Sequence, residues 1–193
     1  LEKIIDLDKS FFVFLNNLGS KPFDAIWLLI TNQLNWIPFF LILLIILYKK
    51  IGQKQVLVAL LTIAALITFT NEITDLVKFS VQRIRPCNDE ELKGLIRVVK
   101  QSDTFSYFSG HAANSIAAMM FVFLILKKYY KYSYLIFLYP LIFAYSRIYL
   151  GLHFPLDIIS GYIFGSLTGI LFYKIYSKII SKYITLWKFK KQH

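Results

Sequence analysis

Long apolar runs separated by short, lysine-rich segments set the pattern of this chain. A bilayer core takes about 20 helical residues, with roughly 17–25 tolerated, and on that measure the pattern predicts five spans. The first ends in WIPFFLILLIILY (36–48) and draws on the preceding AIWLLITNQLN (25–35) to reach length. The others cover about 55–77, 109–126, 132–149 and 156–177. Residues 1–22 set Lys3, Lys9 and Lys21 against Glu2, Asp6 and Asp8. Their apolar positions (Ile4, Ile5, Leu7, Phe11, Phe12, Phe14, Leu15) predict an amphipathic helix lying at the membrane interface. Residues 11–32 leave a sixth, short span open. The expectation is an all-α integral membrane protein of one domain, 1–193. It is a bundle of five to six transmembrane helices, with an interfacial helix at 1–22 and a basic cytoplasmic tail at 178–193.

Composition supports the membrane reading. Of the 193 residues 57% are hydrophobic, and the mean hydropathy is +0.57, more apolar surface than a soluble domain can cover. The 18 Phe, 13 Tyr and 3 Trp suit membrane interiors and interfacial belts. A net charge of +11 raises the question of nucleic acid, and the placement of the charges answers it. Segments 49–54, 127–131 and 174–193 hold three, three and six lysines with no acid, as cytoplasmic loops do. No nucleic-acid partner is needed to explain them. The N-terminal segment, the loop near 80–107 and the turn at 150–155 then face outward. The single cysteine, Cys87, excludes an intrachain disulfide and a multi-cysteine metal site. The opening LEKIIDLDKSFFVF lacks a basic n-region and a cleavage site, so no cleaved signal peptide is expected. Gly161, Gly165 and Gly169 recur every four residues in the fifth span and predict close packing within the bundle, a dimer contact being the alternative.

Three polar clusters fall at the outward ends of spans. Lys78 and Arg85 are seven apart and share a face if the helix continues, while Pro86 favours extended backbone at Arg85. Pairing of Lys78 with Asp75, or snorkelling to headgroups, would also account for them. Ser109-Gly110-His111 opens the third span, where free N–H groups and the helix dipole favour an anion and glycine allows its close approach. An ordinary serine cap beside an interfacial histidine is the plainer alternative. Arg147 ends the fourth span; His153 and Asp157, four apart, flank the start of the fifth, with Pro155 suited to an early helical position. A carboxylate on one imidazole nitrogen leaves the other as nucleophile or base, and a structural Arg–Asp pair is again the alternative. Together they make three cations, two histidines, one carboxylate and a helix N-terminus, an inventory that suits a phosphate. Three mutually repelling cations make a metal site a poor fit, and no metal or other cofactor is expected.

In order, Lys78, six residues, Arg85-Pro86; then Ser109-Gly110-His111; then Ser146-Arg147, five residues, His153, three residues, Asp157 resembles the three-part signature of the type 2 phosphatidic acid phosphatase (PAP2) superfamily. Phe108 departs from it, since the family usually has proline before Ser-Gly-His. The resemblance implies metal-independent removal of phosphate from a lipid or another membrane-delivered ester. His153 would be the nucleophile that forms a phosphohistidine, oriented by Asp157, and His111 would protonate the leaving oxygen and then assist water. Lys78, Arg85 and Arg147 would hold phosphoryl oxygens, joined by Ser109 and the Gly110 N–H. This agrees with the emphasis on charge stabilisation and positioning in phosphoryl transfer.

Soluble vanadium haloperoxidases resemble the same signature, but five apolar spans argue against that branch. The small size looks more like the bacterial members, which implies a bacterial cytoplasmic membrane with the site facing outward. The substrates of those relatives include undecaprenyl diphosphate, phosphatidylglycerol phosphate, phosphatidic acid and lipid A phosphates. Sequence alone favours an isoprenyl diphosphate or a simple lipid phosphate monoester, with membrane lipids as the other partners. An anion or phospholipid transporter would also use buried cations, but gives no reason for the His153–Asp157 spacing. A catalytically dead scaffold gives no reason for an intact set. Lys93, Arg97 and Lys100 bear on mono- versus diphosphate preference, and sequence does not place them. Oligomeric state is likewise not encoded in any legible feature.

Overall fold

Apolar side chains point outward from this protein as well as inward. The computed structural model describes residues 2–190, with side chains through Lys182, and all its regular structure is helical. The helices are α1 (Glu2–Asn17), α2 (Asp24–Thr31), α3 (Ile37–Val81), α4 (Gly110–Leu126), α5 (Leu138–Tyr149) and α6 (Pro155–Lys190). Gly52 adopts φ 76° and ψ 165°, which breaks α3 into two rods. Nothing lies within 4 Å of a Cβ added there, so the glycine serves the backbone angle and not the packing. The basic segment 49–54 is therefore a kink within α3. Two stretches, 33–92 and 155–182, are long and apolar enough to cross a membrane, and α4 is a shorter apolar helix.

The expected first span is modified. AIWLLITNQLN forms the separate α2 and a 3-10 turn at Gln33–Trp36, so the first rod begins at Ile37. Residues 11–32 are not one helix either, because α1 ends at Asn17 and a 3-10 turn at Lys21–Phe23 precedes α2. At the other end, the segment expected as a tail continues α6 to Lys190; residues 191–193 lie outside the described residues.

On the second rod of α3, Ala59, Thr62, Leu66, Thr70 and Thr74 form the buried stripe. The three threonine hydroxyls donate to carbonyls four residues back, at 2.7–2.8 Å, so they enter the interior without an unmet donor. On α6, Ile159, Ile163, Leu167, Leu171 and Ile175 stay exposed, as a lipid-facing row would. The glycine row lies against α4: a Cβ at Gly161 would stand 2.7 Å from the Ser109 carbonyl oxygen, and one at Gly165 would collide with that of Ala113. The stripe thus packs inside the bundle, as its spacing predicted. It also brings the start of α4 against the start of α6, where the polar clusters lie.

Helix α1 carries the inverse pattern. Asp8, Phe12 and Asn16 are buried, four residues apart, whereas Ile4, Leu7, Phe11 and Phe14 are exposed, Leu7 at 70% against 4% for Asp8. Asn16 donates to the carbonyls of Arg97, Ile148 and Tyr149 and accepts from the Arg97 N–H at 2.7 Å, tying α1 to the end of α5. The 82–109 loop then straps the α5–α6 turn. Cys87 N–H donates to Gly151 O, and Val99 and Lys100 N–H donate to Leu150 O. Gly151, at φ 85°, lets this strap pass, since a Cβ would meet the Arg97 oxygen at 3.3 Å.

Candidate active site

Four chain segments converge where α3 and α5 end and α4 and α6 begin. Helix α3 stops at Val81 because Gln82 turns left-handed (φ 51°). Arg85 therefore does not share a helical face with Lys78; it arrives from the loop, in the extended conformation (φ −74°, ψ 153°) that Pro86 favours. Its Nε and Nη2 donate to the carbonyl and hydroxyl of Thr104 at 2.7 and 2.8 Å, and Nη1 donates to Leu152 O at 2.9 Å. The same Nη1 lies 3.0 Å from His153 Nε2.

His153 sits in the turn between α5 and α6, with 1% of its surface exposed. Its Nδ1 is 3.4 Å from Asp157 Oδ2. An arginine can only donate and a carboxylate only accepts, so these neighbours select the tautomer with the proton on Nδ1 and the lone pair on Nε2. Burial, then the charges of Arg85, Arg147 and Lys78, push the imidazole well below its ordinary pKa. The ring is therefore neutral, the state a nucleophile needs. Pro155 starts α6, as expected, and Asp157 in its first turn accepts the Phe154 N–H at 2.9 Å.

Ser109 caps α4, its hydroxyl accepting from the Ala112 N–H, while its own N–H donates to the Asp157 carbonyl at 3.0 Å. That N–H is committed to structure, leaving the hydroxyl proton and the Gly110 and His111 N–H groups as the polar end of α4. A Cβ on Gly110 would stand 3.2 Å from the Thr74 methyl, tighter than an ordinary contact, so glycine lets α4 start close against α3, with Lys78 Nζ near its N-terminus. Lys78 is only 3.8 Å from its helical neighbour Asp75, a loose contact that leaves the ammonium available. Arg147 donates from Nη1 to Thr31 Oγ1 at 2.6 Å, while its buried Nε makes no hydrogen bond among the described residues. His111 lies within electrostatic reach of the cations Arg147, Lys78 and Arg85 and beside the His153 ring. All eight residues expected at the site thus meet in one place. Phe108, where the family has proline, is buried against Phe164 at 5.0 Å between ring centres.

The other loop cations separate. Arg97 pairs with Asp24 at 2.6 Å and lies over the Tyr149 ring, which makes it a structural residue. Lys93 meets Glu90 at the surface. Lys100 lines a polar cavity of about 410 Å³ with Thr31, Asn32, Gln33 and His111. A second, mostly apolar cavity of about 620 Å³ runs between α3, α4 and α5, past Leu43, Ile67, Ala118 and Phe143, and ends at Lys78 and His111. His111 and Gln33 line both cavities. Three further residues of the site were not anticipated: Thr104, which holds Arg85, and Arg83 and Asp8, which brace Asp157. Among the described residues, no group of three or more His, Cys, Asp or Glu side chains is placed to hold a metal ion.

Residues 55–181 match the family model described as PAP2 superfamily. The chain belongs to the PAP2 superfamily. It is 32% identical over 186 residues to the lipid A 4'-phosphatase of Bacteroides thetaiotaomicron, covering 94% of this chain and 82% of that protein. The lipid A 4'-phosphatase of Porphyromonas gingivalis is 25% identical, covering 95% and 79%. In fold, this PAP2 chain is similar to the transmembrane PAP2-type phosphatidylglycerolphosphate phosphatase of Bacillus subtilis, with a TM-score of 0.70 at 18% identity over 93% of this chain and 89% of that one. LpxE of Aquifex aeolicus gives a TM-score of 0.64 at 24% identity, covering 87% and 95%. The chain is accordingly an integral membrane PAP2 protein and a lipid phosphatase.

Proposed function

We propose that this PAP2 enzyme removes a phosphate from a glycolipid of the lipid A kind, through a phosphohistidine on His153. The observation that carries this reading is the meeting of two unlike cavities at His111. The apolar groove suits acyl chains, and the polar cavity with Lys100, Asn32 and Gln33 suits the sugar of a leaving alcohol or its further anionic group. A simple lipid phosphate monoester would have no use for the polar cavity. An isoprenyl diphosphate would place only its second phosphate there, whereas a sugar phosphate would also use its neutral donors Asn32 and Gln33. The balance thus moves from the isoprenyl diphosphate or simple monoester favoured by sequence alone towards a sugar phosphate, and the lipid A 4'-phosphatase relatives support the same direction.

The chemistry follows from the positions. Lys78, Arg85 and Arg147, with the Ser109 hydroxyl and the α4 N-terminus, hold the phosphoryl oxygens and offset charge in the transition state. His153 Nε2 attacks phosphorus as the P–O ester bond breaks, and His111 gives its proton to the departing alcohol oxygen. His111 then takes a proton from water, whose oxygen attacks phosphorus; the P–N bond breaks and inorganic phosphate leaves. Asp157 stabilises the charge that His153 carries in the intermediate. No step calls on a metal ion.

The site opens on the outer face of the cytoplasmic membrane in this reading. The lysines at 49–54 and 127–131 lie at the α3 kink and between α4 and α5, the end of the bundle away from Lys78 and Ser109. Five crossings are assigned: the two rods of α3, α4, the 133–149 segment and α6. Helix α1 lies along the interface on its exposed apolar side. Phosphate release from lipid A, undecaprenyl diphosphate, phosphatidylglycerol phosphate and phosphatidic acid, measured with purified protein in EDTA, tests the assignment. Preferred turnover of lipid A is expected. Preference for undecaprenyl diphosphate would overturn the glycolipid reading, and a requirement for added divalent ion would overturn the metal-free mechanism.

A further inference from the structure

Asp157 is not held by the active-site residues alone. Its Oδ1 accepts from Arg83 Nη1 at 2.7 Å, and Arg83 Nη2 donates to Asp8 Oδ2 at 2.6 Å. The other oxygen of Asp8 accepts the Leu156 N–H at 2.9 Å. That N–H belongs to the first turn of α6, where no intrahelical acceptor exists, so α1 supplies a cap that α6 lacks. Asp8 therefore grips the turn twice, by its backbone at Leu156 and, through Arg83, by the carboxylate at Asp157. The guanidinium is fixed from the side as well. It stands 4.0 Å over the Phe154 ring, which packs edge-on against Phe12 of α1 at 5.3 Å.

The arrangement is more than a tether. Asp157 is wholly buried and has two oxygens to place: one towards the Phe154 N–H and His153 Nδ1, the other towards Arg83. Arg83 thereby fixes the rotamer that keeps Oδ2 facing the imidazole. An unopposed guanidinium would also draw the carboxylate's charge away from His153. Asp8, on the far side of the same guanidinium, balances it. Both acids stand at the N-terminus of α6, where the helix dipole favours negative charge.

We propose that Asp8 and Arg83 are positioning residues that aim and polarise the Asp157–His153 pair from α1. This rests on the assignment of His153 as nucleophile and Asp157 as its partner. Neither residue reaches the cavities where phosphate and lipid are placed, so turnover should change while substrate binding does not. The inverted surface of α1 is then explained: of its two buried polar residues, Asn16 ties the helix to the end of α5 and Asp8 serves the active site.

The test is a double-mutant comparison with a soluble aryl phosphate. Asp8→Asn keeps the shape but turns an amide towards Arg83, and Arg83→Lys keeps the charge but cannot grip both acids. Each should lower kcat by about tenfold or more, the range for partners that orient a reacting group, with KM within about threefold. In an Asp157→Asn background the same changes should cost almost nothing further, because there is no carboxylate left to aim. Equal losses in both backgrounds would make the cluster a structural tie and overturn the proposal, as would unchanged kcat. If Asp8→Asn does not fold, Arg83→Lys alone decides by the same criterion. Full activity in Asp157→Asn by itself would instead overturn the site assignment on which the proposal rests.

Discussion

His153 Nδ1 stands 3.4 Å from Asp157 Oδ2, with both side chains buried between α5 and α6. His153 lies two residues before α6 and Asp157 in its first turn, so the geometry of the pair depends on α6 starting at Pro155. Anything that removes the acceptor at Asp157 reverses the tautomer preference of the ring. Asp157→Asn can donate to Nδ1 and so places the proton on Nε2, the nitrogen required for attack. Its kcat should fall on the order of 10³-fold or more, as when a histidine loses its orienting carboxylate elsewhere. Steady-state rates with a soluble phosphate ester check this, alongside a melting curve showing that the variant is folded.

The contact between α4 and α6 sets the distance between His111 and His153. Gly165→Ala pushes a methyl group into the Ala113 carbonyl and the Ile116 side chain. Overpacking of this kind costs about 1–3 kcal/mol. The unfolding midpoint in detergent should drop accordingly. An unchanged midpoint would mean the helices slide apart at little cost.

The apolar groove should discriminate by chain length. Ala118→Trp fills it, whereas Leu61→Trp changes a side chain that is exposed on α3 and lies outside the groove. The first should lower kcat/KM for a long-chain lipid phosphate by about tenfold, equivalent to the low end of an overpacking cost, and leave a soluble aryl phosphate nearly unaffected. The second should change neither. Equal effects on both substrates from Ala118→Trp would place the acyl chains elsewhere.

Arg97 gives a pH-dependent stability prediction. The Arg97 hydrogen bond, followed by that of Tyr149, holds the Asp24 carboxyl below its ordinary pKa of 3.8. A lowered carboxylate pKa adds stability that is fully present above the unfolded value and disappears as pH falls through the folded one. Arg97→Ala should therefore lower the melting midpoint at neutral pH by a small amount, a pair this exposed contributing about 0.2–1 kcal/mol. The gap between variant and wild type should narrow below about pH 3.8. Turnover per folded molecule should stay close to wild type, because Arg97 faces Asp24 and Tyr149 and not the phosphate site.

Much of the site was legible because its residues recur at fixed spacings. Ser109-Gly110-His111 and the interval from Arg147 to Asp157 are local patterns that helix starts and turns convert directly into geometry. The helical runs were legible as length of apolar sequence. Residues that act across the chain were not. Asp8 and Arg83 are 75 positions apart, and no periodicity relates them. The available signals were indirect: Asp8 shares an i, i+4, i+8 row with Phe12 and Asn16, and Arg83 stands beside Arg85 in one basic stretch. The early end of α3 was hidden as well, because Gln82 in a left-handed conformation leaves no mark comparable to Pro86. The same holds for Thr104, which meets Arg85 only once the loop has folded back.

The central claim is that His153 carries the phosphoryl group. The direct measurement is mass spectrometry of enzyme quenched during turnover of an aryl phosphate at alkaline pH, where phosphohistidine survives. The account predicts a phosphate on the His153 peptide, absent from His153→Ala. It should accumulate in His111→Ala, whose good leaving group needs no proton but whose water attack is slowed. Turnover by wild type with phosphate on another residue, or sustained turnover by His153→Ala, would contradict it.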